Sequence, residues 1–515
     1  MQQHGLPSNH DEAGQESPMR TFFITTEVLI LMSIIAVAPQ EGKCLSADQE
    51  FRIAAGQRQL FLDDYCIATT ENLKRTMHQP TKKGAVIEPD RPWETALQTR
   101  CAPAWDENEK TFKLWLITST SLPGVAGTTY VESKDGIHWT KPNLHQYEFD
   151  GSSENNFVTL DPKASWPENA IENVVYDPDD ADRNRRYKGF LGCDGRQPMV
   201  GPDGIHWKLL DVPKIPSQDE SNLSYDRLNR TFIATLKQGG PYGRSHGLST
   251  SRDFEDWTTP ELIFHADEED QTRVKANIEA LLSNAKLQQP IYNDPADYNA
   301  DIYNVSIFQY EGIYVALPAV YHSTGKLPEG NTDGFHLIQL ACSRDLRTWK
   351  RLGDRQPFIG PSPVGPGNYD TTQILPPSAP VIHGDELWFY YTGIKYRATP
   401  DNPDPNQGAI CLAVLRRDGF ISLDAGETPG VLVTKPFAAG CTKLFVNVDA
   451  GMGTLEVEIL DEKGNVLAVS EPVIGDKPRA QMQWKEGNLE ELKDRKLGLR
   501  FTLRNVRFYS FWLED

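Results

Sequence analysis

Apolar and polar positions alternate with period two over residues 444–448, 454–460 and 497–503. That is the spacing of strands with one buried face. Upstream of residue 436 the alternation comes in shorter pieces, each led in by an acid or turn and a polar loop. The copies start at Trp105-Asp106, Tyr176-Asp177, Tyr225-Asp226, Phe308-Gln309-Tyr310-Glu311-Gly312 and His383-Gly384-Asp385, and each runs into an aromatic strand. A second element follows each of them. It reads Ser133-Lys134-Asp135-Gly136-Ile137-His138-Trp139, Gly201-Pro202-Asp203-Gly204-Ile205-His206-Trp207, Ser251-Arg252-Asp253-Phe254-Glu255-Asp256-Trp257 and Ser343-Arg344-Asp345-Leu346-Arg347-Thr348-Trp349. A worn fifth copy is Arg416-Arg417-Asp418-Gly419-Phe420.

Asp and Gly tolerate tight turns, so the second element joins two strands, and its Trp packs between neighbouring units. Hairpin, strand, turn and Trp make one four-stranded sheet. Two motifs alternating five times in step predict an all-β chain: a five-bladed β-propeller over 99–435. The blades fall at about 99–145, 165–210, 216–262, 300–355 and 370–425. A helix-like insert at about 270–288, with Ile278, Leu281 and Leu282 on one face, accounts for the longest gap between turns. Residues 48–98 form an entry segment, and 436–515 a small C-terminal β-sandwich.

Composition narrows the function. The 515 residues carry a formal charge of −20. That argues against a nucleic-acid partner, which needs Lys and Arg concentrated on one face. Residues 1–47 read as an N-terminal extension and signal peptide, with an apolar run over 22–38 and a small-residue site at Leu45-Ser46-Ala47. The expected address is therefore secreted or periplasmic, with no membrane contact beyond the signal segment. Cys44 leaves with the signal. The other six cysteines lack framework spacing and are expected as buried free thiols. No zinc-ligand spacing occurs, and no cofactor is expected.

Five blades of this kind with a C-terminal sandwich resemble the propeller glycoside hydrolases of families 43 and 32 and, more loosely, 130. The resemblance spans about 60–515. The entry motif, Arg-Asp-Pro and Glu-Cys of family 32 are absent, and Phe61-Leu62-Asp63-Asp64-Tyr65 is a distant echo of that entry. The resemblance implies an exported glycosidase acting on plant or algal polysaccharide fragments, with a pair of carboxylates at the propeller mouth. Some related propellers hold an axial calcium, for which no ligand spacing is present here. The alternatives are a non-catalytic carbohydrate-binding propeller and an exported protein-interaction propeller.

Inner-strand starts line the mouth of such a funnel. There the chain offers Glu172-Asn173, Asp219-Glu220-Ser221-Asn222, Asp301-Ile302-Tyr303-Asn304 and Asp370-Thr371-Thr372-Gln373. Clustered acids repel, which raises some pKa values, and glycoside hydrolysis needs one protonated and one ionised carboxyl. By the resemblance to family 43, Glu220 is expected as general acid and Glu172 as modulator or base. The strand over 99–105 carries no acid, so Glu94, Asp64 or Asp301 must supply a further carboxylate. Trp93, Trp166, Tyr303 and Tyr321 are candidate sugar-stacking surfaces. Arg100, Arg196, Arg244, His246 and His322 suit hydroxyls or an acidic group such as a uronate or sulfate. Asp219 and Asp370 complete the expected substrate-binding set.

Overall fold

The computed structural model describes residues 51–121, 125–160 and 170–515. The signal-peptide reading and Trp166 lie outside the described residues. Within them the chain is nearly all-β, with strands curled into sheets and one α-helix, Glu268–Ser283. Three sheets are single meanders: Ile171–Tyr176 onward, Gln218–Asp226 onward and Asn299–Tyr310 onward. A fourth, of eleven strands, fuses the first and fifth repeats. Gly408 pairs in parallel with Ala96, and Thr81–Ile87 of the entry segment is the outer strand of the fifth repeat, antiparallel to Gly408–Arg416. The fifth repeat thus takes its last strand from the beginning of the described chain.

The Asp-x-x-x-Trp turns have a common cause. One carboxylate oxygen of Asp135 accepts the N–H groups of Ile137 and His138, each at 2.8 Å. Asp203, Asp253 and Asp345 do the same for the residues two and three places on. The position after Asp has φ between 65° and 80°, filled by Gly136, Gly204, Phe254 and Leu346. In each complete copy the Trp lies against the preceding repeat. Trp207 meets Trp115, Trp257 meets Phe190, Trp349 meets Phe264, and Trp139 meets Tyr390 of the fifth repeat. In the worn copy Phe420 takes that place against Tyr310 of the fourth.

The worn copy also has a second job. Asp418, fully buried, accepts hydrogen bonds from Arg58 (2.5 Å), Tyr310 (2.6 Å), Ser510 (2.5 Å) and Asn447 (3.2 Å). One carboxylate thus ties the entry segment, the fourth and fifth repeats and the C-terminal sheet together.

The entry segment is not a separate layer. Gln59–Leu60, Ile67–Glu71 and Lys74–Met77 pair into the twelve-stranded C-terminal sheet, while Glu94–Gln98 begins the inner strand of the first repeat. The C-terminal sheet is built around the long strand Lys443–Leu460, which pairs with Lys496–Arg504 and Val506–Glu514. Its core is aromatic: Phe61, Phe501, Phe508 and Phe511 are fully buried, and Phe508 packs on Phe61 and Phe501 at 4.9 Å. All six described cysteines are free and buried. Among the described residues no helix is long and apolar enough to cross a membrane.

Candidate active site

Inner strands aim their side chains through bulges. Pairing skips Thr95 in the first repeat, Glu172 in the second, Asp219 and Glu220 in the third, and Tyr303 in the fourth. A bulged residue leaves the ladder and its side chain is re-aimed. Asp219 carries the strain of its bulge, at φ 36°. Glu172, Glu220 and Tyr303 are therefore equivalent positions of successive repeats. Asn173, Ser221 and Asn304, one place on, stitch these strands together. Asn173 donates to the Ser221 carbonyl (3.2 Å), and Asn304 donates to the Glu220 carboxylate (2.9 Å).

Glu220 is buried and accepts from Nε and Nη2 of Arg100, at 2.5 and 2.7 Å. Burial works to raise its pKa, but the Arg100 charge and hydrogen bonds, Lys237 and Asn304 outweigh it and hold the carboxyl down to about 2. Glu172 is equally buried. Arg196 approaches it at 2.8 Å and the Ser221 hydroxyl at 3.3 Å. Here burial wins, with the neighbouring Glu220 charge adding to it, and Glu172 is pushed up to about 7 against the pull of Arg196 and Arg100. Of the two, Glu172 is the carboxyl whose surroundings favour the protonated form, and Glu220 the one whose surroundings favour the ionised form. The expected assignment of Glu220 as the acid runs against its surroundings: a carboxyl gripped by a bidentate guanidinium stays ionised.

Asp301 pairs with Arg244 at 2.9 Å, and its other oxygen is buried without a partner. Burial raises its pKa against the Arg244 charge. Tyr303 is nearly buried beside the pair, with Lys237 at 4.0 Å from its ring centre. Lys237 in turn is bound to Asp219 at 2.5 Å, and Asp219 is partly exposed at the rim. Tyr321 lies behind Tyr303 at 6.1 Å and donates its hydroxyl to the Thr332 carbonyl at 2.8 Å.

Four expected binding residues are engaged elsewhere. One Glu94 oxygen accepts the N–H groups of Asp90 and Arg91 and the Lys141 ammonium, which makes it a loop anchor. Trp93 packs in a side cluster with Phe157 at 6.3 Å. His322 hydrogen-bonds Asn277 at 2.9 Å and stacks on Phe335, fastening the helix to the fourth repeat. Asp370 accepts from Lys82, Ser362 and Tyr391, fastening the fifth repeat to its borrowed strand. Asp63 and Asp64 are likewise taken, by Arg344 and Arg75. His246 is fully buried, hydrogen-bonds the Tyr303 carbonyl at 3.2 Å, and is held well below its ordinary pKa by burial and then by the Lys237 charge.

Sequence reasoning passed over Lys237, His336 and Arg397. Lys237 sits mid-strand in an apolar run, so only the pairing register reveals its direction. The recurring Asn after the bulged residue, in Glu172-Asn173 and Tyr303-Asn304, was the readable signal. Among the described residues no cluster of His, Cys, Asp or Glu is arranged to hold a metal ion.

No protein-family profile matches the chain, and no curated protein does. Solved structures do resemble it, at low identity. One is an N-acetylgalactosamine deacetylase from F. plautii, 12% identical, TM-score 0.41, covering 68% of this chain and 97% of that one. Another is the Bombyx mori GH32 beta-fructofuranosidase BmSUC1, 9% identical, TM-score 0.39, covering 84% and 94%. A third is the alpha-L-arabinofuranosidase PaAbf62A from Podospora anserina, 12% identical, TM-score 0.39, covering 66% and 98%. These are similarities of strand arrangement.

Proposed function

We propose that the chain is an exported glycoside hydrolase whose five repeats close into a propeller. Ring closure is supported by the order of the turn contacts, in which each repeat leans on its predecessor and the first leans on the fifth. The borrowed outer strand of the fifth repeat has the same sense.

The observation that carries the activity is the carboxyl pair: two buried acids on adjacent strands, Glu172 pushed toward its protonated form by burial and Glu220 kept ionised by the Arg100 guanidinium. Glu172 gives its proton to the leaving glycosidic oxygen. Glu220 supplies the negative charge, as base for a water or as nucleophile at the anomeric carbon. This reverses the roles implied by the family resemblance. The test compares Glu172→Gln and Glu220→Gln on natural oligosaccharides and on aryl glycosides with activated leaving groups. Glu172→Gln should cut turnover of the former by roughly 10²- to 10⁴-fold and spare the latter. Glu220→Gln should abolish both. Equal losses from Glu172→Gln on the two substrate types would remove Glu172 as the acid.

One observation favours a second reading, a carbohydrate-binding propeller without turnover. The oxygens of Glu220 are already occupied by Arg100 and Asn304. Glycan binding by the wild-type chain with no cleavage of any bond would select it.

A further inference from the structure

Positive charge gathers at the rim of this site in a chain whose net charge is −20. Around the Tyr303 ring centre lie Lys237 at 4.0 Å, Arg244 at 5.1 Å and Arg397 at 5.6 Å. Arg244 and Arg397 also stand 4.6 and 5.4 Å from the ring of Tyr321. Two aromatic faces offset part of the mutual repulsion. Carboxylates offset more of it, but unevenly. Lys237 has Asp219, and Arg244 has Asp301 through its Nε alone.

Arg397 has neither. Its guanidinium donates to neutral oxygens, the Thr332 carbonyl (3.1 Å) and the Asn331 side chain (2.8 Å), and meets the Tyr321 and Tyr303 hydroxyls. No carboxylate among the described residues pairs with it. It is half-buried and borders a narrow cleft of about 10 Å³, walled by Gln289 and Ile291 from the stretch after the helix. Asp333 lines the same cleft, but its oxygens accept four backbone N–H groups, those of Ile291, Tyr292, Gly334 and Ala398. Beside the two tyrosines His336 is fully buried, and neither ring nitrogen has a partner. Burial and the charges of Arg397 and Arg244 keep it neutral, so it adds no cation and supplies a polar group without one.

We infer that this rim binds a sugar carrying an anionic substituent, a carboxylate or a sulfate ester, with Arg397 and Arg244 as the clamp against Tyr303. A planar guanidinium fits either group through two parallel hydrogen bonds. A neutral sugar leaves the Arg397 charge half-desolvated and unpaired, which disfavours it. The substrate class so defined deepens the hydrolase reading and rests on it for turnover, though not for binding.

The test is calorimetric binding to the full chain. The probes are glucuronate, galacturonate, glucose 6-sulfate, glucose, galactose and inorganic sulfate, each at low and high salt. A uronate or the sugar sulfate should bind and weaken with salt, while glucose and galactose should not bind. Which anionic sugar binds identifies the substituent. Arg397→Gln should weaken that binding by about 10- to 100-fold, with an unchanged melting temperature in the absence of ligand, and Arg397→Lys should recover part of it. Equal binding of neutral sugars, binding of inorganic sulfate alone, or unchanged affinity in Arg397→Gln would each overturn the inference. Binding that depends on Arg397 in a wild-type chain that cleaves nothing would instead leave the inference standing and remove the hydrolase.

Discussion

Glu172→Gln and Glu220→Gln should move stability in opposite directions at alkaline pH, although the two residues are alike in burial, strand position and chemistry. An ordinary Glu carboxyl has a pKa of about 4.5, and the fold carries Glu172 up to about 7 and Glu220 down to about 2. At about 1.4 kcal/mol per pH unit, each displacement is worth about 3 kcal/mol. For Glu172 the sign is unfavourable. Its ionised form costs stability in the fold, a cost absent below pH 4.5 and complete above pH 7. Glu172→Gln, which keeps an acceptor for Arg196, should therefore match wild type at pH 4 and exceed it by up to about 3 kcal/mol at pH 8. For Glu220 the contribution is favourable. It is fully present above pH 4.5 and fades as pH falls toward 2. Glu220→Gln should be less stable by about 3 kcal/mol at pH 8, with the gap closing only below pH 4.5. Denaturant unfolding followed by tryptophan emission at pH 4, 6 and 8 reads both. Equal destabilisation by the two variants at every pH would refute the electrostatic asymmetry, and with it the acid and base roles.

Further outcomes follow from the same contacts. Asp418→Asn leaves the Arg58 guanidinium buried without a counter-charge and should cost about 3–5 kcal/mol, read as a lowered denaturation midpoint. Trp512 emission should change with it, because Arg58 stacks on that ring at 3.8 Å. The value of kcat/KM should fall on the alkaline side as Glu172 loses its proton near pH 7, with no matching acid limb above pH 4, since Glu220 stays ionised there. An acid limb at pH 5–6 instead would assign the essential base to another group.

The repeat was legible because its cause is local. An Asp side chain closes its own turn within three residues, so Asp135, Asp203, Asp253 and Asp345 announce themselves in sequence. The destination of the entry strands was not, because pairing partners such as Ala85 and Cys411 lie far apart in the chain and no local signal binds them. The same division runs through the site. Glu172 and Glu220 stood out as acids in a strand start, but Glu94 and Asp370 looked no different there. What separates them is the hydrogen bonding each receives, and Lys141 and Lys82 arrive from elsewhere in the chain. A carboxylate's sequence context says that it is near an inner strand, not whether that strand bulges beneath it.

The bulge explains why one strand position can serve three chemistries. In a regular ladder Glu172, Glu220 and Tyr303 would point as their neighbours dictate; skipped from pairing, each is freed to re-aim its side chain while the residues on either side keep the sheet intact. The side chains gathered there then set one another's charge. Arg100 approaches from the first repeat and fixes Glu220 as an anion; that negative charge raises the Glu172 pKa, while the Arg100 charge itself pulls it down. Of the acids expected to supply a first-repeat carboxylate, Asp64 is engaged by Arg75, Glu94 by Lys141 and Asp301 by Arg244. By ion-pairing with Glu220 and not with Glu172, Arg100 lowers the first carboxyl more than the second and so sets the two apart.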